Sequence, residues 1–213
     1  MTYSLAHPEW ITLTVDGHTH VGYDQEWYPE KWQKLAGCGP TTGSVITAYI
    51  EAKEKGTLIQ TQKKALDKML TFWPYATPRM HGLYKTRWLE EGLTSYFRDH
   101  NLVGKAEMIS IPPIRPLRPS LAKLALFLKD GLLADAPLGF LNLHNGGNEA
   151  LYSWHWMPFI RLEENGRTWI GTAVDEGKEI SFDLGEWLKK SKFGGGFVRV
   201  MDTSNVEIRE ETV

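Results

Sequence analysis

The sequence predicts an α+β protein, mainly helical in its first half and mainly β in its second. Three observations predict this. Between residues 38 and 130 the apolar residues recur at three- and four-residue spacings, as on the buried stripe of a helix. From residue 138 onward they alternate or form short blocks between turn clusters such as Asn145-Gly146-Gly147-Asn148. A composition of 42% hydrophobic and 23% charged residues over 213 positions is enough to close one sizeable core. The expected organisation is one domain over 1–213. A helical lobe over about 22–130 packs on an antiparallel sheet formed by about 138–202.

In chain order, residues 10–21 read as a hairpin. Ile11, Leu13 and Val15 alternate with threonines, Asp16-Gly17 marks a type I′ turn, and His18-Thr19-His20-Val21 returns. The turn sets His18 and His20 on one face, but no third ligand follows at metal-binding spacing, so both are expected to be surface or structural groups. Residues 22–37 are expected to be an aromatic-rich loop holding Tyr23, Trp27, Tyr28 and Trp32. The next helix starts at Cys38, buries Val45, Ile46, Tyr49 and Ile50, and stops at Gly56. A helix over 61–73 turns Leu66, Met69, Leu70 and Trp73 inward and ends at Pro74. After a loop at 74–82, a helix over 88–100 buries Leu89, Leu93, Tyr96 and Phe97, and a strand follows at about 107–111.

Pro112, Pro113, Pro116 and Pro119 then form a connector. Ile114 and Leu117 interrupt it, which favours a stiff crossover over a polyproline ligand for a partner. Residues 120–130 form a helix with Leu121, Leu124, Ala125 and Leu128 inward. Strands are expected at 138–143, 153–162, 168–175 and 178–182. Asp183 then caps a helix to about 190, with Leu184, Trp187 and Leu188 inward. Gly194-Gly195-Gly196 lacks the strand-before, helix-after setting of a phosphate loop, so it is a turn before a last strand at 197–201.

Several function classes are excluded at this level. A formal net charge of −2 without a basic cluster argues against electrostatic nucleic-acid binding. A single cysteine rules out an intrachain disulfide and a Cys-rich zinc site. The first residues show no signal-peptide pattern, and no apolar run is long enough for a membrane span. A cytoplasmic protein needing no cofactor or metal is expected.

The chemistry points to Cys38. Gly37 and Gly39 flank it, Pro40 fits the first turn of a helix, and unpaired amides with the helix dipole favour a thiolate there. A lone intracellular cysteine is otherwise a small buried hydrophobe, so a base and its orienter are needed to make Cys38 a nucleophile. A three-residue loop Glu164-Asn165-Gly166 pairs His155 with Asp175 across a hairpin, side chains on one face. A carboxylate in that place fixes the imidazole tautomer and supports the imidazolium. His144, beside the Asn145 turn, is the rival base without a carboxylate partner.

The Gly-Cys-Gly-Pro-Thr-Thr run entering a helix, His155-Trp156 at a strand start, and an aspartate before a glycine turn resemble the papain-like cysteine peptidases. Among them the resemblance is to the bacteriocin-leader-processing type and its stand-alone relatives. The run Ile180-Ser181-Phe182-Asp183-Leu184-Gly185-Glu186-Trp187-Leu188 is similar to the strand and helix that follow the aspartate there. The resemblance implies a papain-like fold with Cys38 as nucleophile, His155 as base and acid, and Asp175 as orienter. It also implies an upstream glutamine that shares the oxyanion hole with the Cys38 backbone N–H. Gln33 is that glutamine, five residues ahead of Cys38, where the family's usual spacing is six and falls on Trp32. The implied activity is cleavage of a peptide or amide bond through an acyl-enzyme. Acyl transfer by the same triad, and a non-catalytic binding protein on the same fold, are the alternatives.

Overall fold

A computed structural model describes residues 1–201. The chain opens with β1 (Thr2–Ser4), too short to register as a strand in the sequence, and a 3-10 turn over Pro8–Ile11. The expected hairpin follows as β2 (Thr12–Val15) and β3 (His18–Val21). Asp16 and Gly17 sit at φ 50° and 79°, the paired positive values of a type I′ loop. His18 is exposed, while His20 packs on Trp27 with ring centroids 4.9 Å apart. Among the described residues no group of histidine, cysteine and carboxylate side chains could hold a metal ion.

The stretch 22–37 is not simply a loop. It holds a 3-10 turn at Gln25–Trp27 and α1 (Lys31–Ala36). The Glu30 N–H donates to Gln33 Oε1 at 3.4 Å, a capping contact that starts α1. Six residues span too few turns for an apolar period to register, which is why this helix escapes a pattern search.

The central helix is α2 (Cys38–Lys55), and Val45, Ile46, Tyr49 and Ile50 are all buried as expected. Gly56 ends it at φ 67°, its N–H donating to Ala52 O at 2.9 Å. The glycines at its start serve close packing. A Cβ on Gly39 would lie 2.6 Å from Leu83 Cδ2, and one on Gly43 would collide with the Phe72 ring.

Next come α3 (Gln62–Phe72), capped by Thr61 Oγ1 on the Lys64 N–H, and a 3-10 turn at Trp73–Ala76. Here Leu70 departs from the expected inward face and is exposed. The buried side is Ala65, Met69, Phe72 and the charged Lys68. Then follow α4 (Thr86–Asp99), β4 (Lys105–Ile111), the proline connector, and α5 (Leu121–Leu133). The Arg118 guanidinium clasps the connector, donating to the carbonyls of Pro112, Pro113, Leu188 and Ser191 at 2.5–3.0 Å.

The second half supplies β5 (Leu138–Asn142), β6 (His155–Asn165), β7 (Thr168–Asp175), β8 (Lys178–Asp183), α6 (Leu184–Lys190) and β9 (Gly195–Met201). They form one antiparallel sheet in the order β4-β9-β5-β6-β7-β8, with β1 also paired to β6. Phe140 stacks on Phe197 and Phe182, with Trp187 of α6 against its edge. Elsewhere Ile46, Leu89, Leu93 and Phe97 from α2 and α4 pack with Leu141, Trp156 and Val198. The α+β architecture with helices on an antiparallel sheet is therefore as the sequence predicts.

The β6–β7 register differs from expectation. The loop has two residues, Gly166 and Arg167, with Asn165 opposite Thr168. Gly166 at φ 63° supplies the positive value that such tight loops need. Carried to the far end, that register would place His155 and Asp175 on opposite faces. A bulge between Phe159 and Arg161 shifts the count by one residue, so that Phe159 faces Ala173. On the shifted count His155 and Asp175 share a face, one diagonal step apart.

Candidate functional site

The start of α2 meets the start of β6 and the end of β7, and there the three sequence-predicted residues come together. His155 Nε2 lies 2.8 Å from Asp175 Oδ1, with the two side chains only 16% and 8% exposed. Cys38 lines the same space as this imidazole and helps to raise its pKa. Burial pushes the His155 pKa down. The hydrogen bond to Asp175 and the contact with Cys38 outweigh it and raise the pKa to about 10. The ring is therefore an imidazolium through neutral pH. Trp154, just before His155, sits at φ 59°, a left-handed conformation that costs a non-glycine about 1–3 kcal/mol and that clusters where side chains are held for function.

Cys38 separates two spaces. One is an open cleft of about 370 Å³ lined by Trp32, Leu35, Met80, Leu83, Leu143 and Trp154, with His81 and Tyr84 as its more polar members. Its wall is tied to β6 by the Trp156 indole N–H, which donates to Leu83 O at 2.5 Å. The other is a small chamber of about 50 Å³ between α2, the 23–26 turn and the β6–β7 end. Its lining includes His155 and Asp175 as well as Cys38.

Compared with models of known protein families and with curated proteins, the chain matches none.

The other predicted residues fall elsewhere. His144 accepts the Gly146 N–H on Nδ1 at 3.0 Å and packs against Phe193; it lines neither space beside Cys38. Gln33 lines neither space beside Cys38; its amide oxygen accepts the Glu30 N–H at the start of α1. The residue at the six-residue spacing, Trp32, does line the cleft with Cys38. A different glutamine lines the chamber: Gln25, whose Nε2 donates to Lys34 O at 2.9 Å. No spacing rule points to Gln25, because a 3-10 turn and a separate helix lie between it and Cys38. Only the Asp24 cap on the Glu26 N–H, a local turn signal, marks that segment.

Proposed function

We propose that the protein is a papain-like thiol hydrolase that cleaves a peptide or amide bond through an acyl-enzyme on Cys38. The observation that carries this is the continuous contact from Cys38 through His155 to Asp175 at a helix N-terminus, beside an open cleft. The resemblance of the sequence motifs supports it independently.

The steps follow from the geometry. The Cys38 thiolate attacks the substrate carbonyl, and the C=O π pair moves to oxygen. The tetrahedral intermediate collapses, the C–N bond breaks, and the His155 imidazolium gives its proton to the leaving amine. A thioester remains. His155, now neutral, takes a proton from water as the hydroxide forms a bond to the acyl carbon. The second intermediate expels Cys38 as thiolate, releasing the acid. Asp175 holds the ring orientation throughout.

The oxyanion needs a donor besides the Cys38 backbone N–H. Gln33 caps α1, whereas the Trp32 indole shares the cleft with Cys38. Trp32→Phe is therefore expected to lower kcat by roughly 10²–10³, the usual effect of one oxyanion donor, and Gln33→Ala to stay within a few-fold. The reverse ranking would restore Gln33 as the donor.

The whole reading is tested with a thiol-directed covalent probe and a library of peptide and amide substrates, wild type beside Cys38→Ser and His155→Ala. Labelling at Cys38 that falls in His155→Ala, with acid and amine as products, is the expected result. An inert thiol in the native protein would mark a binding protein. A product joined to an added amine would mark an acyltransferase.

A further inference from the structure

Buried polar atoms in folded proteins are almost always hydrogen-bonded, so a group of them left without protein partners in one place points to a guest. The chamber beside Cys38 is such a place. Tyr23 Oη, Gln25 Oε1, Thr41 Oγ1, Thr42 Oγ1 and Asp175 Oδ2 are buried and have no hydrogen-bond partner among the described residues, and all five residues line this chamber. Tyr23 is 5% exposed, Thr42 1%, and the Asp175 side chain 8%. They come from three separate segments: the turn after β3, the first turns of α2, and the end of β7. Burial pushes the Tyr23 phenol pKa far up, so its oxygen remains a neutral hydroxyl that can donate as well as accept.

The guest's chemistry follows from this inventory. Asp175 Oδ2 and Gln25 Oε1 only accept, whereas the Tyr23, Thr41 and Thr42 hydroxyls do both. A guest that donates two hydrogens and accepts others satisfies the set. A space of about 50 Å³ holds water and little else. We propose that the chamber is a built water site whose occupants bridge Asp175 Oδ2 to Tyr23 and Thr42. On this account Tyr23 and Thr42 are positioning residues. With Oδ1 on His155 and Oδ2 on the bridged water, the carboxylate is held at both ends and cannot rotate away from the imidazole. The proposal does not depend on the reaction assigned to Cys38.

The test reads water and His155 directly. Water-proton relaxation dispersion on the wild-type protein is expected to report at least one internal water with a long residence time. The double variant Tyr23→Phe/Thr42→Val, nearly isosteric, is expected to lose that contribution. In parallel, the His155 ring is followed by NMR titration, and its midpoint is expected to fall in the double variant because the carboxylate is freed. Thr42→Val alone, expected to change both readouts less, substitutes if the double variant fails to fold. Unchanged dispersion, or an unchanged His155 midpoint in a folded variant, overturns the proposal. A wild-type midpoint that moves when potassium replaces choline at fixed ionic strength also overturns it, because the guest would then be a cation. All readouts are independent of turnover, so a failed substrate screen leaves this result standing.

Discussion

At the scale of single residues the decisive group is His155. Folded, it keeps its proton up to about pH 10, whereas an unfolded histidine releases it near 6.5. The stabilisation drawn from its charge is therefore complete below about pH 6.5, declines between the two values, and is lost above about 10. The difference in denaturation midpoint between wild type and His155→Gln should be largest at pH 6 and smallest at pH 10. A gap that widens with pH would show that the ring is buried neutral. In the same pH 6 sample, alkylation of Cys38 should slow on the order of tenfold in His155→Ala, because the thiolate is the nucleophile. Cys38, His155 and Asp175 could be picked out from the sequence because each carries a local signal: a glycine-flanked helix start, a strand start and a turn. Gln33 has nearly the spacing of the resemblance, and its amide oxygen accepts the nearer Glu30 N–H.

At the scale of elements, α2 and α3 are joined by a buried ionic contact. Lys68 Nζ lies 2.7 Å from Glu51 Oε2, and both groups meet the Tyr96 hydroxyl, at 2.6 and 2.7 Å. Burial lowers the Lys68 pKa to about 8, against the pull of Glu51. An unfolded lysine holds its proton to about 10.4, so Lys68 makes stability rise with pH between about 8 and there. Glu51→Gln should cost about 3–5 kcal/mol at pH 7, since it strands a buried ammonium, and less at pH 9.5 where Lys68 is neutral. Urea unfolding at the two pH values measures this. No helical pattern reveals such a pair, because a lysine at position 68 reads as solvent-facing. The bulge in β6 was equally hidden. The expected loop length was wrong and took no account of a bulge, and together these still left His155 and Asp175 on one face.

At the scale of the whole molecule, long-range clasps decide how the two halves meet. Arg118 joins the connector to the end of α6 through four carbonyls, which a planar guanidinium reaches and an ammonium does not. Arg118→Lys should therefore destabilise the fold by about 2–4 kcal/mol, visible as a lower Tm, with Cys38 alkylation at 25 °C unchanged. A loss of labelling without a loss of Tm would mean that the connector reaches the cleft. The α+β plan was legible because periodicity and turn chemistry are local. The strand order β4-β9-β5-β6-β7-β8 and the pairing of β1 with β6 were not, because both join residues far apart in the chain.

The separation of Cys38 from its partners also has a meaning in time. The ribosome delivers the cysteine helix first, and roughly 140 residues more must be made before Asp175 exists. At about 5–20 residues per second that interval is on the order of 10 s. During it the nascent chain carries an ordinary thiol with no imidazolium beside it. On the proposed reading Cys38 gains its base only once β6 and β7 have been made and closed on α2, so a growing chain does not yet hold the paired thiol.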